Sequence, residues 1–585
     1  MNKSLEIPDA SLASLIPDID RLAAEAMAVW KVPGAALAIV QDGKVALTRA
    51  YGQRDVEADL PVTPHTHFVI CSITKSFTAT AIALLQNDGV LDWSKPVRDY
   101  LPEFRLSDAV ATERVTIRDL LSHQSGLPRH DWVHMPGDLS PAEMLPLMRH
   151  LELSRDIRGA WQYSNLCYNA AGLLIERLSG KSFEAFVRER LTDRLGMNIS
   201  FSLDELEAGA EPARPYKIDV DTRSPALRLP IRTTAAGAIN TSVADLANWM
   251  RLHLGKGEFE GERLLPATLV EQLHAPLALV GKSEFSENGH HIHYGLGLQS
   301  HTYRGERMVS HSGGWNGWGS LMALVPEAGI GVAVLTNRSS SGIPLILSLY
   351  IIDRLRGREP VDWLSRFRKQ RDDFIAHIPA DKEAREKARH KDTTPAHELS
   401  AYAADYAHPA YGVISIRERD GALHWSWRGM GAPLSHRHFE TFVTPEIIDQ
   451  LHPDNVPITF QTDREGNIVH LSVPLEPMVK DIVFERRAAG DCVDPAFRTR
   501  CVGQFKSGAI THRVTLDSEG RLILKPDYQP AYRLEPQQGR GFRIAELEGF
   551  AVEFRGEGER IDQIVFHQPN GIFVADRVME QESGH

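Results

Sequence analysis

Two strand pairs at opposite ends of the first 360 residues set the strongest limit on what this chain can fold into. Gly34 to Val40 and Val45 to Tyr51 are apolar runs joined by Gln41-Asp42-Gly43-Lys44, and Asp-Gly is a hairpin turn signal. Leu321 to Val325 and Gly331 to Leu335 repeat that pattern through Pro326-Glu327-Ala328-Gly329, and a helix follows from Ile343 to Arg356. The spacing between the pairs is helical: Ser72 to Gln86 runs to Asn87-Asp88-Gly89, and Tyr168 to Leu178 runs to Gly180. Strands at both ends with helices between them predict an α+β domain whose single antiparallel sheet takes strands from both ends.

At 585 residues the chain exceeds one ordinary domain, and three are expected. Residues 1–360 form the first. A charged stretch follows, with eight lysines or arginines among acids between Arg366 and Arg389, and reads as an exposed helical linker over 361–395. Beyond it a weak internal repeat pairs Tyr402-Ala-Ala-Asp-Tyr406, followed by Ile414 to Trp427, with Cys501-Val-Gly-Gln-Phe505, followed by Val514 to Leu524. Short alternating runs after each copy predict two small antiparallel β-barrel domains, at 396–488 and 489–585.

The formal charge of −12, with no basic stripe, argues against a nucleic-acid partner and favours a small peptide or ester. No stretch reaches transmembrane length, and the N-terminus lacks the apolar run of a secretory signal. The expectation is a cytoplasmic protein as given, or a periplasmic one if a leader was removed. Four cysteines are too few for a disulfide scaffold and are read as reduced, buried thiols.

Ser72-Ile73-Thr74-Lys75 opens a helix, so the hydroxyl and the amine share one face and Ser72 gains the partial positive charge of the helix start. A hydroxyl needs a base to become a nucleophile, and a lysine serves when burial or a nearby cation lowers its pKa. Ser-x-x-Lys alone arises by chance in a chain of this length. Tyr163-Ser164-Asn165 stands just before a predicted helix; its tyrosine could relay a proton, and its amide could orient the lysine and bind a substrate carbonyl. His311-Ser312-Gly313-Gly314 precedes the second hairpin and could form the lip of an edge strand, with the N–H groups of Gly314 and Ser72 aimed at a developing oxyanion.

In this order and with these separations the three pieces resemble the serine β-lactamase and penicillin-binding-protein superfamily. The flanks resemble its class C β-lactamase, DD-carboxypeptidase, D-aminopeptidase and esterase branch: Leu120-Leu-Ser-His-Gln-Ser-Gly-Leu-Pro128, Gly172-Leu-Leu-Ile-Glu176, Gly237 to Leu246, Tyr294-Gly-Leu-Gly297, and Val325-Pro to Thr336-Asn337. The resemblance implies a β-lactamase-like fold for the first domain. It also implies Ser72 as nucleophile, Lys75 and Tyr163 as general base and acid, Asn165 as orienting residue, and His311 to Gly314 as the substrate-binding strand. No cofactor or metal is implied.

True class C β-lactamases usually carry lysine where this chain has His311, a residue mostly neutral at pH 7, which disfavours carboxylate-anchored β-lactam hydrolysis as the main task. Two trailing β modules are similar to the D-aminopeptidase arrangement, in which a loop of the last module reaches the pocket; Gln568-Pro-Asn-Gly571 is the candidate. The expected activity is that of a peptidase or amidase on short or D-residue-containing peptides. An esterase or acyltransferase and a penicillin-binding sensor with little turnover are the alternatives. His290, His291 and His293 read as a polar loop, and His123 as a structural turn residue near the site.

Overall fold

In the computed structural model, which describes residues 12–578 apart from 220–221, 283–290, 446–454, 548 and 557, the two terminal strand pairs meet side by side. Gly34–Gln41 pairs antiparallel with Lys44–Asp55 on one edge and with Ile330–Thr336 on the other, in the register Leu37↔Val334. From there the nine-stranded sheet continues through Trp318–Val325, Glu306–Trp315, Gln299–Tyr303 and His291–Tyr294 to Ala278–Lys282. The α+β expectation, with one sheet drawing on both ends, is what the chain adopts.

Alternation along the central strands explains why they read as continuous apolar runs, because both faces are covered. Leu37, Ile39, Val332 and Val334 face a layer made by the helices Leu12–Trp30 and Ile343–Leu355, which contributes Leu15, Ile19, Ile346 and Leu347. Ala36, Ala38, Ala333 and Leu335 face the opposite layer, which includes the helices Thr74–Asn87, Asn165–Ser179 and Val243–Leu254. Small alanines on that face let Trp249 and Met250 sit close over the sheet. Ser242 caps the helix beneath them by accepting the Asp245 N–H.

The charged linker is one helix, Trp363–Lys387, with Trp363 docked on the outer core, Leu364 and Phe367 packed partly against it, and Asp372 to Lys387 exposed. The two trailing modules each begin with a short helix followed by three strands. These are Leu399–Tyr402, then Ala404–His408, Gly412–Arg419 and Ala422–Trp427; and Pro495–Cys501, then Gly503–Ser507, Ile510–Leu516 and Leu522–Pro526. The weak repeat thus corresponds to a repeated entry into a sheet. The first module curls nine strands into a barrel-like sheet, and the second closes eight strands into a barrel. All four cysteines are buried and unpaired. No helix among the described residues is long and apolar enough to cross a membrane.

Two local expectations need correction. The α-helix begins at Thr74, and Ser72 lies on a single 3₁₀ turn, Cys71–Ile73, that feeds into it. His291 and His293 lie on the strand His291–Tyr294 rather than in a loop, because His291 pairs with Lys282 and His293 with Leu279 and Ser300; His290 lies outside the described residues. Gln568-Pro-Asn-Gly571 is the turn of an ordinary hairpin, with Gln568 paired to Gly571, inside the closed barrel. Barrel closure commits the two strands that bear it to each other. The preceding module reaches the catalytic domain beside the site.

Candidate active site

The turn that carries Ser72 is held in an unusual conformation. Cys71 has φ +50°, in the left-handed region that costs a side chain energy, and its buried position fixes it there. Gly313 allows the strand to press against that turn: a Cβ at residue 313 would lie 2.4 Å from Ile70 O and 2.8 Å from Cys71 Cβ, whereas residue 314 opens onto free space. Glu306–Trp315 is an interior strand of the sheet, not an edge strand. Its ladder with Gln299–Tyr303 nonetheless ends at Gln299↔Ser310, so His311 to Trp315 have a locally free edge, while their other edge pairs with Trp318–Val325. The lip expected from the sequence exists because one neighbouring strand is short.

Lys75 is fully buried. Its Nζ lies 3.1 Å from Ser72 Oγ, 2.9 Å from Asn165 Oδ1 and 2.8 Å from Ala236 O. Tyr163 donates its hydroxyl to Ser72 Oγ at 2.8 Å. The sequence-derived set Ser72, Lys75, Tyr163 and Asn165 is therefore one hydrogen-bonded cluster. Burial, reinforced by the Arg129 guanidinium and opposed by Asp131, pushes the Lys75 amine well below its usual pKa. Burial raises the Tyr163 phenol despite its bond to Ser72.

His311 is the first residue of the free lip but does not face it as a cation. Its Nε2 lies 2.8 Å from the Tyr294 hydroxyl and its Nδ1 2.6 Å from Ser312 O. The carbonyl can only accept, so Nδ1 carries the proton and Nε2 accepts from Tyr294. Burial, followed by the nearby Lys75 charge, lowers its pKa to about 3, which keeps the imidazole neutral. His123 sits among the rings of Trp161, Tyr163, Tyr168 and Tyr294 and accepts the Ser164 N–H at 3.1 Å, fixing the strand of chain that delivers Tyr163.

Several members of the cluster escaped the sequence reading. Asp131 Oδ1 accepts from Asn165 Nδ2 at 3.1 Å and lies 2.9 Å from His134 Nε2, and Asp131 Oδ2 accepts from Arg129 Nε at 2.6 Å. The Arg129 guanidinium covers the Tyr163 ring, 4.9 Å from its centre. These residues follow directly on the Leu120 to Pro128 motif, which was a usable signal. The Ala236 carbonyl adjoins the Gly237 to Leu246 segment but, as backbone, carries no signature of its own.

A family model described as Beta-lactamase matches residues 19–348, and one described as a domain of unknown function (DUF3471) matches residues 388–486. The chain is 30% identical over 421 residues to the unguisins hydrolase ungD' of Aspergillus campestris, covering 66% of this chain and 75% of that protein. It is 27% identical over 350 residues to protein flp of Staphylococcus aureus, covering 58% and 67%. The octameric penicillin-binding protein homologue from Pyrococcus abyssi superposes with a TM-score of 0.53 at 21% identity, covering 96% of this chain and 99% of that one, which supports the fold alone. With the family model spanning more than half of the chain over the fold and cluster just described, this protein belongs to the beta-lactamase family, within the superfamily of serine β-lactamases and penicillin-binding proteins.

Proposed function

We propose that the protein is a serine hydrolase that forms an acyl-enzyme on Ser72, with Lys75 as general base and Tyr163 as the relay to the leaving group. The observation that carries this reading is the set of three partners around Lys75 Nζ. A neutral amine has two N–H groups and one lone pair. Asn165 Oδ1 and Ala236 O are acceptors and take the two N–H groups, which leaves the lone pair for the Ser72 hydroxyl proton. The lowered pKa of a buried lysine beside Arg129 keeps that form populated.

In the forward step Lys75 takes the Ser72 proton as Oγ bonds to the substrate carbonyl carbon. The N–H groups of Ser72 and Gly314 face the resulting oxyanion. Tyr163 gives its proton to the leaving nitrogen or oxygen, and Lys75 gives up the proton it took from Ser72 to restore Tyr163, a transfer that bypasses the acylated Oγ because that oxygen has no proton to pass on. Water then attacks the acyl carbonyl carbon and gives a proton to the neutral Lys75 amine, the acyl–Oγ bond breaks, and Lys75 returns that proton to Oγ, releasing the acid and the free Ser72 hydroxyl.

For the substrate, we favour short peptides, including ones with D-residues or other non-standard linkages, cleaved at an amide. The neutral, buried His311 supports this over carboxylate-anchored β-lactam hydrolysis, and the hydrolase named for unguisins among the relatives supports hydrolytic turnover. The test is a panel of L- and D-aminoacyl p-nitroanilides against p-nitrophenyl esters of varied chain length. Amide cleavage with repeated turnover is expected. Activity confined to esters would replace the peptidase reading with an esterase, and stoichiometric acylation without release would make the protein a sensor.

A further inference from the structure

Residues 129–138 supply Arg129, Asp131 and His134 to the site, yet much of what holds this loop comes from the module matched as a domain of unknown function. Glu476, 3% exposed, accepts the backbone N–H of His130 at 2.8 Å, and its other oxygen accepts the Met478 N–H at 3.0 Å. The His130 ring is fully buried between the modules, with Nε2 2.9 Å from Glu152 O and Nδ1 2.7 Å from the Tyr411 hydroxyl. Since Glu152 O can only accept, Nε2–H donates there and Tyr411 donates to Nδ1. His130 has φ +43°, a conformation that needs outside support in a residue with a side chain. Arg428 spans the loop, donating to Trp132 O and Val133 O, both at 2.9 Å, and pairing with Asp138. Trp427 packs on Trp132 with ring centres 5.6 Å apart.

From this geometry we infer that the module spanning 388–486 braces the catalytic loop, with Tyr411, Glu476 and Arg428 acting as positioning residues for Asn165 and Lys75. The connection is short. Glu476 and Tyr411 fix His130; the next residue, Asp131, anchors Asn165 Nδ2; and Asn165 Oδ1 receives Lys75 Nζ. A buried carboxylate and a nearly buried guanidinium are costly to place at a module boundary unless each is well bonded, and each directs part of its bonding to backbone groups of this one loop. The loop has only short stretches of its own secondary structure, a 3₁₀ turn at Asp131–Val133, so its shape depends on these partners.

The inference rests on the acyl-enzyme reading, and its test separates the two. Pre-steady-state bursts with p-nitrophenyl acetate are measured on the full chain carrying Tyr411→Phe, Glu476→Ala, Glu476→Gln, Arg428→Ala or Ser72→Ala. The burst amplitude counts competent sites, and the burst rate constant reports how well they are aligned. The brace predicts acylation slowed roughly tenfold in Glu476→Ala and Arg428→Ala and several-fold in Tyr411→Phe, at near wild-type amplitude and KM, with Glu476→Gln recovering most of the loss. A merely structural role would lower the amplitude and leave the rate constant unchanged. Tyr411→Phe deletes a single oxygen, so the test stands even if the alanine variants fail to fold. Wild-type rate constants in all the module variants overturn the brace. Release of p-nitrophenol that Ser72→Ala leaves at its wild-type rate overturns the acyl-enzyme reading and the brace with it.

Discussion

Replacing Arg129 by glutamine removes a cation that faces the proposed base across the Tyr163 ring. Lys75 Nζ lies 4.8 Å and Arg129 Cζ 4.9 Å from the same ring centre, so the two charges are at most about 9.7 Å apart. At an effective dielectric constant of about 20, unit charges at that distance repel by about 1.7 kcal/mol. The Arg129 side chain is 53% exposed, and solvent screening reduces this to about 0.7 kcal/mol. Asp131 loses its guanidinium partner in the same variant, and its released negative charge acts in the same direction, so together the two changes favour the charged Lys75 by about 0.7–1.4 kcal/mol and raise its pKa. Lys75 has to be neutral to take the Ser72 proton, so activity is lost as pH falls through its pKa, and a higher pKa moves that acid limb to higher pH. The assay is kcat/KM for a p-nitrophenyl ester against pH, which reports the free enzyme. On the limb the variant is expected to be about three- to tenfold slower, converging with wild type on the alkaline plateau. An acid limb that stays in place or moves down refutes the electrostatic argument.

Other outcomes follow from the same geometry. Asn165→Ala removes one of the two acceptors that orient Lys75 and is expected to cut kcat by about a hundredfold while KM changes little, measured by steady-state kinetics. Gly313→Ala places a Cβ against Ile70 O and Cys71, so both the Ser72 turn and the strand must shift; thermal unfolding should show a destabilisation of about 1–3 kcal/mol together with loss of Ser72 acylation. His311→Gln should leave the position of the acid limb unchanged, because a group with a pKa near 3 is already neutral throughout the assay range; a displaced limb would show that His311 titrates there.

What the sequence disclosed depended on how each feature is encoded. Ser72, Lys75, Tyr163 and Asn165 were legible because each is a side chain in a short motif whose spacing carries chemistry, and the two hairpins were legible because alternation and turn residues are local. Asp131 and Arg129 were not, because their importance comes from the approach of Asn165 and Tyr163 across the fold. Ala236 O contributes only backbone. The free lip at His311 to Gly314 arises from where the neighbouring strand stops, a tertiary accident that read as an edge strand. The contact of the site loop with Glu476 and Arg428 was not legible either, because a module's sequence specifies its strands and turns but not what lies near them.

The central claim is a covalent bond at Ser72. Intact-protein mass spectrometry after rapid acid quench of a p-nitrophenyl ester reaction, followed by peptide mapping, reads it directly. The account predicts one acyl group per chain on the peptide containing Ser72, absent in Ser72→Ala and slow to form in Lys75→Ala. An acyl group on any other residue, or one that persists at its wild-type level in Ser72→Ala, would contradict it.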